Sequence, residues 1–235
     1  MKQRLASAIS RGTLRPNKAG ASNAAEAPNA ASFLQGRINV TDERETWVRQ
    51  FFYLALFAAV FHSLQFAAAI VLWMSTRSAV LMSFGLDAVV SAIAALVLAS
   101  RIRREWRHRS VAYGYILASA GAFYLGASML WTGLRPRPSP LGIVVAAISM
   151  LVIPIVGSYM KVLAVELRSQ ALKSAAIFTF GNSYLSMVLL IALLMSYGMN
   201  LRWGDPLGAL VMFPFMAQKG IQILLEEGKH EYVED

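Results

Sequence analysis

The chain has no cysteine, and charged residues fill only 15% of its 235 positions. The first absence excludes a disulfide framework and any thiolate metal centre, which leaves carboxylates, imidazoles, amides and hydroxyls as the available ligands. The second excludes an ordinary soluble domain, where about a quarter of residues are charged. Acids are scarcer than bases, with 13 Asp and Glu against 22 Lys and Arg, for a net charge of +9. No HExxH, GxSxG, P-loop or GxGxxG motif occurs, so nothing in the sequence argues for an enzyme.

What is there is apolar. Hydrophobic residues make up 57% of the chain and the mean hydropathy is +0.51, the composition of a polytopic membrane protein. Six apolar stretches run from Phe51 to Trp73, Leu81 to Ser100, Ala112 to Trp131, Leu141 to Met160, Ala175 to Met195 and Leu207 to Leu225. Each approaches the ~20 residues that a helix needs to cross ~30 Å of hydrocarbon. The expected fold is therefore all-α, an integral membrane bundle of six transmembrane helices.

The bases set its orientation. They crowd the N-terminal segment, the Arg101 to Arg109 connection and the stretch with Lys161, Arg168 and Lys173, while the alternate connections hold only Arg77, then Arg135 and Arg137, then Arg202 with Asp205. Positive charge stays on the cytoplasmic side, so both termini are expected there. The basic residues read as orientation rather than as a nucleic-acid surface. Trp47, Trp73, Trp106, Trp131 and Trp203 fall at the ends of spans, as an interfacial aromatic belt requires.

Three segments follow. Residues 1–40 mix bases with Ala, Asn, Ser, Gly and Pro and are expected to be disordered, with Thr41 capping the first helix. Residues 41–227 form the transmembrane domain, and residues 228–235 a short charged tail. Gly114, Ala118, Ala122 and Gly126 give the third span a small-residue face for close helix packing, while Pro154 and Pro214 are expected to kink the fourth and sixth spans.

One carboxylate stands well inside an apolar stretch. Asp87 shares a helical face with Ser83 and Ser91, and an intramembrane acid costs several kcal/mol unless it finds a partner, a proton or water. His62 and Gln65 lie one turn apart on the first span; the histidine either serves a metal, a proton or Asp87, or is hydrogen-bonded and structural. On the fifth span, Thr179, Asn182 or Ser183, and Ser186 fall on one face, where interhelical hydrogen bonds are the plain reading. Lys219, near the end of the sixth span, is expected to snorkel to the interface; an ion pair with Asp87, or a Schiff-base role with Asp87 as counter-ion, is the alternative.

Several short motifs in this order resemble the cation diffusion facilitator (cation efflux) superfamily, in its short bacterial form without the cytoplasmic C-terminal domain. They are Phe84-Gly-Leu-Asp87, Arg137-Pro-Ser-Pro-Leu-Gly-Ile143 with Pro154 beyond it, Ser169-Gln-Ala-Leu172, Tyr184-Leu-Ser186 and Trp203-Gly-Asp-Pro206. The resemblance implies exchange of a divalent cation such as zinc for protons, at a site built from the second and fifth spans, with homodimerisation in prospect. Asp87 matches the family's acid. The next ligand position holds Ser91, and the fifth-span acid position corresponds to Ala175, with Thr179 one turn later, so the implied metal site is degenerate. Asp87, Ser91, Thr179, Asn182 and His62 are the candidate cation ligands. The expected function is proton-coupled cation transport; the alternative is a membrane binding or assembly protein that keeps the fold without the site, its Arg101 to Arg109 loop touching anionic lipid or a partner.

Overall fold

The computed structural model describes residues 30–100, 109–137, 139–199 and 201–231. The expected disorder of residues 1–40, the Arg101 to Arg109 loop with Trp106, and the last residues of the tail lie wholly or largely outside them. The described residues form six helices: α1 (Ala30–Thr76), α2 (Ala79–Ser100), α3 (Arg109–Thr132), α4 (Pro140–Glu166), α5 (Gln170–Gly198) and α6 (Gly204–Glu231). The chain divides into two units at Glu43, and the packing and the site described below belong to the second, Arg44–Asp235.

Five helices are long and apolar enough to cross a membrane: the α1 segment Arg44–Thr76, α2, α4, the α5 segment Leu172–Gly198 and the α6 segment Gly204–Leu225. α3 is long enough but less apolar, because tyrosines, glycines and serines thin its hydrophobic residues. The outward surface carries large apolar side chains such as Leu64, Val71, Leu117, Leu151 and Tyr124. A protein in water hides such residues, whereas lipid receives them, and the chain is a membrane protein.

The first helix begins further back than the sequence suggests. Thr41 lies inside α1 rather than at its cap, because Ala30, Ala31, Leu34 and Gln35 are good helix formers ahead of it. Real caps occur at α4 and α5, where the Ser139 and Ser169 hydroxyls accept hydrogen bonds from the Gly142 and Leu172 amides. Helices α4 and α6 both run through their prolines, Pro154 and Pro214.

α2 is the most buried of the five apolar spans, and α6 packs against it and against α3 and α5. Leu81, Phe84 and Val90 of α2 join Tyr115 and Ala122 of α3, Leu185 and Leu189 of α5, and Met212 and Met216 of α6 in the main core. Small residues allow the close approaches. A Cβ on Gly126 would stand 2.9 Å from the Pro206 carbonyl, and one on Gly220 would stand 2.9 Å from the Ala112 carbonyl, so α3 and α6 meet almost backbone to backbone. A second cluster joins Phe51, Ala55 and Ala58 of α1 to the C-terminal part of α2, to α4 and to the start of α5.

Candidate functional site

At the α2 N-terminal end, the bundle is tied by a carboxylate. Asp205, in the first turn of α6, accepts hydrogen bonds from the Ala79 amide at 2.7 Å, from the Val80 amide at 3.4 Å and from the Ser78 hydroxyl. It thus supplies from another helix the acceptor that α2 needs for its orphan N–H groups. Nearby, the Arg137 amide donates to the Thr76 carbonyl at 2.8 Å, and Gly208 packs so tightly that a Cβ there would meet Ala192 Cβ at 2.5 Å.

Deeper in the bundle lies a polar network to which all six helices contribute. Lys219 Nζ of α6 is 2.9 Å from Asp87 Oδ1 of α2, donates also to Asn182 Oδ1 of α5, and lies 5.3 Å from the centre of the Tyr115 ring of α3. The ammonium is held by a carboxylate, an amide oxygen and an aromatic face. Since Asn182 must present its oxygen to Lys219, its amide nitrogen faces the other way, donating to Ser91 Oγ at 2.9 Å and approaching His62 Nε2 at 3.4 Å. Ser91 Oγ is also 3.0 Å from the Tyr115 hydroxyl.

The network continues into α1 and α4. His62 Nδ1 lies 2.7 Å from Gln65 Oε1, and the Gln65 amide nitrogen donates to Ser149 Oγ at 2.6 Å. Because Gln65 Oε1 can only accept, the proton of the neutral imidazole sits on Nδ1 and Nε2 is left as an acceptor facing Asn182. The Ser149 hydroxyl in turn donates to the Val145 carbonyl at 2.7 Å. Asp87, Asn182, Lys219, His62, Gln65, Ser91 and Ser149 are all buried.

Asp87, Ser91, Asn182 and His62 therefore come together. Thr179 stands apart: its hydroxyl donates to the Ala175 carbonyl one turn back, and it reaches only the cavity below the network. Ser83 likewise bonds its own helix, at the Ala79 carbonyl. Asn182, not the Ala175 and Thr179 positions, is the α5 residue that meets Asp87's partner. Lys219 corrects the snorkelling expectation. It lies on the α6 face that packs among α2, α3 and α5, and a helical side chain leans toward the N-terminus of its own helix, which carries Nζ inward to Asp87. Tyr115 and Ser149 also belong to the network; a lone hydroxyl in an apolar stretch gives no signal until its partner helix is known.

Below the network, toward the C-terminal end of α2, lies a cavity of about 30 Å³. His62, Ser91, Tyr115 and Asn182 form its polar end, and Leu98, Ala175 and Ile223 are among its apolar walls. A water needs roughly 10–15 Å³ by this measure, so the space holds one or two water-sized groups. Among the described residues no cluster of three or more His, Asp or Glu side chains could hold a metal ion. Zinc as cargo fits poorly here, since the network offers one carboxylate, already paired with an ammonium, and one imidazole. Compared with models of protein families, and with curated proteins, the chain gives no match.

Proposed function

We propose that this chain is a cation-efflux-like transporter that moves a cation across the membrane in exchange for protons, with Asp87 as the acid that receives the cation. Six spans, with α3 as the sixth and both termini cytoplasmic, complete this reading, and the inner membrane of a bacterium is its setting. The observation that carries it is the cavity, which reaches from Leu98 near the C-terminal end of α2 to Ser91, Tyr115 and Asn182; Asn182 and the Tyr115 ring meet Lys219, the partner of Asp87.

Asp87 itself does not line that cavity, and the other end of the bundle is held by Asp205 against Ser78 and α2. A cavity on one side of the site and a tied end on the other is an asymmetry that suits an alternating-access cycle. An intramembrane carboxylate bonded to titratable groups is also the usual equipment of proton coupling.

The direct test uses the purified protein in liposomes with an internal pH dye. Imposing a cation gradient should move protons in the opposite direction at a rate well above that of protein-free vesicles. Wild-type protein that gives only the protein-free rate for every cation tried rejects the reading.

The second reading, a non-transporting binding or assembly protein, has one observation in its favour. Among the described residues, Ser196 Oγ is the one buried side-chain polar atom without a hydrogen-bond partner, so the central network is satisfied as it stands.

A further inference from the structure

Lys219 presents its ammonium to Asp87 as a soluble cation would. Its Nζ has the Asp87 carboxylate at 2.9 Å, the Asn182 amide oxygen beside it and the Tyr115 ring face at 5.3 Å. Each of these groups also suits a single positive charge arriving from outside. We propose that Lys219 is the tethered occupant of the cation site, and that the transported cation is monovalent, an alkali ion or a small protonated amine, which displaces it one for one as Lys219 gives up its proton. This deepens the transport reading above and rests on it.

Charge conservation is the argument. With Lys219 protonated and Asp87 ionised, the pair is neutral overall. When a monovalent cation sits on Asp87 and Lys219 is a neutral amine, the sum is again neutral, and one proton has left for one cation bound. A dication would leave one uncompensated positive charge inside the bundle. Isolated buried charge is costly, so the dication state is disfavoured. The cavity beside the network is also small, with room for one or two water-sized groups in all, the cation included.

The proton that leaves Lys219 has a defined surrounding. The groups facing Nζ are Asp87 from α2, Tyr115 from α3 and the Asn182 amide from α5, with His62 of α1 next to Asn182. Of these, His62, whose Nε2 faces the Asn182 amide at 3.4 Å, lines the cavity together with Ser91, Tyr115 and Asn182 and is the nitrogen base among them. The N–H bond of Lys219 breaks and the proton passes to the cavity, while the electron pair stays on Nζ; no oxidant or further reactant is involved.

The test compares wild type with Lys219→Arg and Lys219→Met in liposomes carrying an internal pH dye. Sodium and potassium represent alkali ions, labelled methylammonium represents small amines, and magnesium and zinc represent dications. Arginine keeps the charge but stays protonated, so Lys219→Arg should lose at least ten-fold of wild-type exchange. Lys219→Met removes the group that gives up the proton, so exchange should fall below wild type while staying above the protein-free rate, and its pH dependence should differ from that of wild type.

A second readout needs no flux: at high pH, sodium or potassium should raise the melting temperature of wild type above that in choline at equal ionic strength, and should do less at neutral pH. Dications exchanging as well as monovalent ions, or Lys219→Arg exchanging as wild type does, overturns the proposal while leaving transport intact. If Lys219→Arg does not fold, the wild-type ion series and Lys219→Met decide alone. Absence of wild-type exchange with every ion defeats the transport reading itself, and this proposal with it.

Discussion

Lys219 Nζ and Asp87 Oδ1 are 132 residues apart in sequence and 2.9 Å apart in the folded chain. The pair joins α2 to α6 in the interior of the bundle, where Asn182 and Tyr115 complete the surroundings of the ammonium. A buried ion pair is not in itself a large source of stability, since desolvation offsets most of the attraction, but removing one member leaves the other stranded.

Asp87→Asn should therefore lower the stability of the folded protein by about 3–5 kcal/mol, whereas Asp87→Asn combined with Lys219→Met should recover most of that loss. Denaturation of the three proteins in one detergent measures both effects. A single variant as stable as wild type would mean that the two charges are not coupled.

Asp205→Ala should cost about 1–2 kcal/mol, because the Ala79 and Val80 amides and the Ser78 hydroxyl lose the acceptor that ends α2. Asp205→Asn keeps one oxygen in place and should cost less. Melting temperatures of the pair give the order; equal losses would show that the charge rather than the cap matters.

Gly208→Ala should destabilise by about 1–3 kcal/mol, since the added carbon would lie 2.5 Å from Ala192 Cβ and 3.0 Å from Val80 Cγ2, neither of which can swing aside. Gly198→Ala is the control, with nothing within 4 Å of its Cβ position. It should be neutral or slightly stabilising. Comparable losses at both sites would contradict the packing described for the α5 and α6 contact.

Topology can be read with single cysteines, because the chain has none of its own. Ser139 is a poor probe, being buried and committed to the α4 cap. Arg135 and Ser110 are both exposed. Arg135→Cys should react with an impermeant reagent from outside intact cells and Ser110→Cys should not; the reverse pattern would invert the proposed orientation.

Much of the fold is legible in the sequence because a bilayer demands long apolar runs, and the stretches around Asp87, Pro154, Tyr184 and Pro214 each lie within a helix. The start of α1 is not legible, since Thr41 offers a capping hydroxyl but nothing stops the helix from continuing back to Ala30. In the site, Asp87, Ser91, Asn182 and His62 are visible as polar groups in apolar surroundings. Their partners are not. Lys219 lies where a lysine can reach either the interface or the interior, and only the packing of α6 among α2, α3 and α5 decides which. Thr179 illustrates the converse: it shares a helical face with the site, yet its hydroxyl is taken by its own helix at Ala175.

The most direct test of the central claim sets Lys219→Met beside the double variant Asp87→Asn with Lys219→Met. The two differ by one carboxylate oxygen replaced with an amide nitrogen, and neither strands a charged lysine. Proton-coupled cation flux into liposomes, measured across a range of pH, should persist in Lys219→Met and fall to the protein-free rate in the double variant. Flux that survives intact in the double variant would contradict the assignment of Asp87 as the cation-binding acid.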